Sequence, residues 1–211
     1  MKKKIGSIFL SVFLMLGMGT STAFASDGSK SSVDDLRAIT VIEIFDSETG
    51  ETEIYEEVVP IVALQSGERS GEGIYTVDAK VNLGDYIQSR ASSTDKEENY
   101  DGVIISAGME YANSGNKYKS TKLYGDIEFP SSLYYAEKRH WNARDTSMND
   151  PDCCSKGICP KSDRWSYNTG CTAYEYVSTD FPPFVRYEAR VYVRDMSAYR
   201  DVNVTCKLEF T

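Results

Sequence analysis

The 211-residue sequence predicts an all-β fold, an antiparallel β-sandwich or small barrel with a disulfide-tied loop, preceded by a signal peptide. Three observations carry this. Apolar residues recur at every second position in most segments with any order, which places them on one face of a strand. The segments are short and separated by turns rich in Gly, Asn, Asp and Ser. Four of the five cysteines fall within 19 residues of irregular sequence.

The N-terminus begins with Lys2, Lys3 and Lys4, continues through an apolar run from Ile5 to Met18 and reaches Ala23-Phe24-Ala25. That order of charge, apolar stretch and small-residue site marks a signal peptide over residues 1–25, cleaved after Ala25. The run is too short, and too diluted by Gly6, Ser7, Ser11 and Gly17, for the roughly 20 apolar residues of a membrane anchor. Cleavage would therefore leave a secreted, extracellular chain with no stable membrane anchor. It would also remove three lysines and no acid, leaving 20 basic against 32 acidic residues, a formal charge of −12 over 186 residues. Such a balance disfavours nucleic acid and anionic membrane surfaces as partners, and speaks otherwise only to solubility.

Residues 26–37 read as a flexible leader, because they offer too little apolar surface to offset the entropy of ordering them. Residues 38–211 then form a single β-rich domain, with an exposed polar loop near 91–101. Ile39, Val41, Glu43 and Phe45 lead through Ser47-Glu48-Thr49-Gly50 to Thr52, Ile54 and Val58, a hairpin with a Gly-containing turn. Tyr75, Val77, Ala79, Val81 and Leu83 make another strand, and Val103, Ile105, Ala107, Met109 and Tyr111 one more. The turn Asn113-Ser114-Gly115-Asn116 delivers the chain to a strand through Leu123 and Ile127. Residues 133–144 fit neither the strand nor the helix period well, and are read as non-helical. Two clear runs end the chain: Val185, Tyr187, Ala189, Val191 and Val193, then Val202, Val204, Cys206, Leu208 and Phe210. Each alternates with polar or charged residues, the habit of an antiparallel sheet with one buried and one wet face.

For catalysis the sequence speaks mainly by omission. His140 is the only histidine, so a His-rich zinc site cannot be assembled within one chain. No Gly-x-Ser-x-Gly elbow accompanies it. Paired carboxylates need only two of 32 acids, and their pairing in space is not written in sequence. Asp95, Glu97, Asn99 and Asp101 fall at alternate positions but lack the Gly and terminal Glu of an EF-hand, and Asp145, Asn149, Asp150 and Asp152 form a second acidic cluster; both are read as solvated turn residues. No catalytic residue, metal ligand or cofactor is assigned.

Aromatic residues are abundant, with 15 Tyr, eight Phe and two Trp. Trp141 and Trp165 lie beside turn-rich sequence and are the candidates for an exposed binding surface. Cys153, Cys154, Cys159, Cys171 and Cys206 all follow the signal peptide, so an oxidising compartment makes them disulfide candidates. Adjacent Cys153 and Cys154 point to opposite sides of an extended backbone and are not expected to bond to each other. Two disulfides and one free thiol are expected. If residues 172–177 and the last two strands form a meander, Cys171 and Cys206 stand two strand spacings apart, about 9 to 10 Å. Cys206 would then reach Cys153, Cys154 or Cys159 instead.

These readings favour a non-enzymatic extracellular binding or interaction module whose partner is an unknown extracellular protein or glycan. The alternatives are a secreted antibacterial or toxin-like protein, and a carboxylate-based hydrolase.

Overall fold

The computed structural model describes residues 3–7, 36–66, 72–87, 90–91, 97–98, 100–115, 117–144, 156–177 and 182–210. These residues form two antiparallel sheets and a small ladder. The first sheet runs in the order β1 (Lys3–Ser7), β3 (Thr52–Val59), β2 (Leu36–Asp46), β14 (Tyr199–Phe210), β13 (Phe184–Val193), β10 (Tyr134–Arg144) and β11 (Lys156–Ile158). The second runs β12 (Arg164–Asn168), β9 (Lys117–Glu128), β8 (Ile104–Ser114), β5 (Glu72–Asn82) and β4 (Ile61–Ser66). Between β5 and β8, β6 (Arg90–Ala91) pairs with β7 (Glu97–Glu98), where the sequence predicts a polar loop.

The inner faces of the two sheets share one buried apolar cluster, a sandwich-like arrangement. Val185, Tyr187, Ala189 and Val191 of β13 and Val202, Val204, Cys206 and Leu208 of β14 all point into it. From the second sheet come Val77, Ala79 and Val81 of β5 and Ile105, Ala107 and Met109 of β8. Full burial of one such aliphatic side chain stabilises by about 1.5–3 kcal/mol. The chain passes from the first sheet to the second at Pro60, between β3 and β4, where the missing N–H costs no ladder bond.

The predicted first hairpin is present, and its turn is built as the sequence suggests. Gly50 takes φ +72°, its N–H donates to the Asp46 carbonyl at 2.8 Å, and the Asp46 carboxylate accepts from the Glu48 N–H at 2.8 Å. Arg200, 2 % exposed, closes the turn with a 3.2 Å ion pair to Asp46. Three details differ from the sequence reading. Leu36 and Arg37 already belong to β2, so the leader ends earlier than residue 37. The inward set on β2 is Ala38, Ile42 and Ile44, and Val58 on β3 is 68 % exposed. The cause is that apolar residues occupy both faces of β2, so alternation does not pick out the inner one.

Residues 133–144 hold a strand, as the non-helical reading requires. Its poor periodicity has a local cause. Lys138 sits at φ +48°, and the pairing of β10 with β13 shifts between Glu137 and His140. The extra residue resets the alternation, so Ala136, Trp141 and Ala143 all face inward. The meander premise fails at residues 172–177. This segment crosses to the second sheet, where Glu175 bridges Tyr118 of β9.

Candidate functional site

The polar outer face of the second sheet carries the most developed surface. Three of the outward positions on β8 are small: Ser106, Gly108 and Ala112. Longer side chains flank them on both sides. Tyr124 of β9 lies across Gly108, where an added Cβ would meet the ring at 2.5 Å, and its hydroxyl hydrogen-bonds Thr76 Oγ1 of β5 at 2.7 Å. One aromatic ring thus ties β9 to β5 over a glycine. Lys122 pairs with Glu110 at 3.0 Å, and Arg164 of β12 reaches Asp126 at 3.2 Å. Ser106 donates a short hydrogen bond to Asp126. On the same face burial, and then the charge of Asp126, raises the Asp78 carboxyl above its ordinary value.

Beyond the Glu110–Lys122 pair the face opens into a groove of about 540 Å³. Glu72, Gly73, Ile74, Ala112, Lys119 and Tyr174 are among the residues that line it. The segment around Glu175 borders it through Tyr174, held to β9 by an isolated bridge. The Tyr118 N–H donates to the Glu175 carbonyl at 2.7 Å, and the Glu175 N–H donates back at 2.9 Å. Period two then puts Tyr174 and Tyr176 on the same side. Each takes a lysine from β9: Lys119 Nζ stands 4.5 Å from the Tyr174 ring centre and Lys117 Nζ 5.0 Å from that of Tyr176. Exposed pairs of this kind contribute about 0.5–1 kcal/mol each. Upstream, Thr169 anchors the segment by donating its N–H to the Thr121 carbonyl at 3.0 Å and its hydroxyl to the Ser120 carbonyl at 2.6 Å. Tyr176 stays 58 % exposed. The groove therefore offers ring faces, an ammonium, a carboxylate and hydroxyls within one open depression.

The residues singled out from sequence lie elsewhere. Trp141 and Trp165 are 1 % and 9 % exposed and stack face to face, ring centres 4.4 Å apart and planes 3° from parallel. They come from opposite sheets, so the pair joins the two layers and is not the exposed surface expected of it. Their polar neighbours sit on the other faces of β10 and β12. His140 faces outward beside Glu188, with Nδ1 3.4 Å from the carboxylate.

Cys206 is fully buried between the sheets and is a free thiol, as is exposed Cys159. The expected tie from Cys206 to the cysteine-rich segment is thus corrected, and so is the expected count of two disulfides and one free thiol, because two free thiols leave three cysteines and at most one bond among them. An inward position on a strand flanked by β2 and β13 is covered by the opposite sheet, not by a loop. Cys153 and Cys154 lie outside the described residues. Residues 92–96, 99 and 145–152 do too, and they hold Asp95 and Asn99 of the first calcium-like window and all of the second. Among the described residues no group of three or more His, Cys, Asp or Glu is placed to hold a metal ion.

Burial first, and then the charge of Asp78, pushes the Cys206 thiol up to about 12, against a backbone hydrogen bond with Ala79 that lowers it. At pH 8 such a group is thiolate in only about one part in ten thousand, and the thiolate is the nucleophile. Iodoacetamide is therefore expected to alkylate Cys159 in the native protein and Cys206 only after unfolding, as read by peptide mass mapping. Native labelling of Cys206 as fast as Cys159 would show that the thiol is not sealed between the sheets.

Sequence reasoning missed the groove. Its traces are the small residues Ser106, Gly108 and Ala112 at outward positions and two period-two pairs, Lys117 with Lys119 and Tyr174 with Tyr176. The chain matches no protein-family model, no curated protein and no solved structure.

Proposed function

We propose that the chain is a secreted, non-enzymatic binding module that holds an extracellular glycan in the groove of its second sheet. In this reading residues 1–25 direct export and are removed, residues 36–211 form one β-sandwich domain, and one disulfide ties the cysteine-rich loop. The observation that carries the binding role is the Tyr174–Lys119 pair, which lines the groove together with Gly73 and Ala112, with Tyr176 exposed two residues on. A tyrosine face matches the apolar face of a sugar ring, and the surrounding ammonium, carboxylate and hydroxyls match its hydroxyl groups. The lysines hold each ring in place, which lowers the entropy lost on binding. Glu72 and Lys119 together favour a neutral or zwitterionic sugar over a strongly charged polymer.

Intact mass and a glycan array test both halves of the proposal on the secreted protein. The mass is expected to begin at Ser26. At least one glycan is expected to bind, and Tyr174→Ala to weaken it by about tenfold, the loss of roughly 1.4 kcal/mol, with thermal stability retained. Silence across the array, with binding to cells that survives glycan removal, would replace the sugar with a protein partner. Retention of residues 1–25 in a membrane fraction would refute export.

A further inference from the structure

The outermost strands of the first sheet pose a separate question. β1 covers the free side of β3, with Lys3 opposite Glu56, Lys4 opposite Tyr55, Gly6 opposite Ile54 and Ser7 opposite Glu53, and one bulge between Lys4 and Gly6. Among the described residues the strand partner of that segment is β3 alone. The buried cluster runs from Ala38 to Leu208, and the other side of β3 is secured by β2 from Ala38 opposite Val59 to Phe45 opposite Thr52. A chain beginning at Ser26 thus keeps its core and exposes the N–H and C=O groups of the β3 edge. Such an edge is a template for another strand.

The composition of β3 decides which strand. Residues 51–59 carry Glu51, Glu53, Glu56 and Glu57 and no Lys or Arg. A second copy pairing antiparallel about Tyr55 sets Glu53 against Glu57, and pairing about Ile54 and Tyr55 sets Glu53 against Glu56. Like charges directly opposite are destabilising. A basic strand meets the opposite situation, and the chain's own Lys3–Ser7 already lies along the edge in antiparallel register. Beyond that pairing stands Val58, 68 % exposed at the same edge. It offers an apolar contact to a strand that extends two residues past the position opposite Glu56.

We infer that, once the leader is removed, the β3 edge is an acceptor for an extended Lys- or Arg-bearing strand of a partner protein. The site lies on the opposite sheet from the groove and does not depend on the glycan reading. Only its exposure rests on leader removal, so the test uses protein prepared to begin at Ser26 and needs no secretion. The probe is a synthetic peptide of residues 2–7, with blocked ends, titrated while backbone amides are followed by NMR.

The amides of Glu53 to Glu56 are expected to shift and exchange more slowly. Glu56→Lys should weaken the peptide by about tenfold, as attraction turns to repulsion at one position, with an unchanged melting temperature. A peptide with its lysines replaced by Glu should not bind, and salt at about 0.5 M should weaken the parent peptide through screening. Unmoved β3 amides at millimolar peptide, or shifts confined to β4, would overturn the inference. So would a dimer of the peptide-free chain held together through β3, which would make a second copy the occupant.

Discussion

Leu208→Asp is expected to destabilise the protein by several kcal/mol, on the order of 3–5, whereas Lys207→Glu one position away should change stability by less than about 1 kcal/mol. Leu208 is 1 % exposed, opposite Ala38 of β2, and its N–H is held by the Pro183 carbonyl at 3.1 Å. An aspartate there has no cation to pair with inside the apolar cluster. It must either carry an uncompensated charge or take up a proton at a cost. Lys207 points the other way, toward water and a 2.5 Å contact with Glu209. Reversing its charge loses a surface pair and adds a repulsion, both screened. Against a typical total stability of about 5–15 kcal/mol, the first change should unfold much of the population and the second should leave a normal urea transition. Equal losses would mean that β14 had slipped by one residue, which exchanges its two faces.

The same physics explains which parts of the fold were legible in the sequence. β5, β8, β13 and β14 each set an apolar face against a polar one, so period two identified both the strand and its inner side. β2 defeated the second step, because Ile39 and Ile42 lie on opposite faces and are 1 % and 0 % exposed. β10 defeated the first, because its bulge at Lys138 breaks the period that the reading depends on. The tryptophans were misplaced by weighing nearby turns more than immediate neighbours. His140-Trp141-Asn142 and Arg164-Trp165-Ser166 are each polar–apolar–polar, the local mark of an inward position on a strand. The groove was out of reach for a different reason. Its border at Tyr174 depends on Glu175 finding Tyr118, a pairing between distant segments that neither stretch announces. The cysteines show how a sound local reading loses to a wrong topology. Cys206 was placed correctly among Val204 and Leu208, and the bond proposed for it assumed a meander that the crossing at residues 172–177 removes.

Trp165→Ala and Trp141→Ala are each expected to cost about 3–5 kcal/mol, the range for deleting a large aromatic from a packed core. For a domain of this size that lowers the melting temperature by about 10 °C. The double variant should cost clearly less than the sum. The two rings face each other from β10 and β12, and Tyr167 and Tyr187 complete the cluster at 5.8 Å from Trp141 and 6.0 Å from Trp165. Removing either ring already deletes their shared contact, and the second deletion enlarges one existing cavity instead of opening another. A coupling of about 1–3 kcal/mol in the double-mutant cycle is the expected result. The fit around the pair is tight from one side, since a Cβ added at Gly125 would lie 2.7 Å from the Ser106 carbonyl oxygen and 3.0 Å from the Trp165 ring. Gly125→Ala therefore belongs in the same series, as a second way to disturb the stack without removing it. Tyr176→Ala is the surface control and should shift stability by less than about 0.5 kcal/mol, as surface substitutions generally do. Urea melts followed by tryptophan fluorescence report all of these variants except the double, which needs circular dichroism because no tryptophan remains. Additive losses would mean that the rings do not share a contact. Small losses from both single variants would return the tryptophans to the surface and remove the joint between the two sheets.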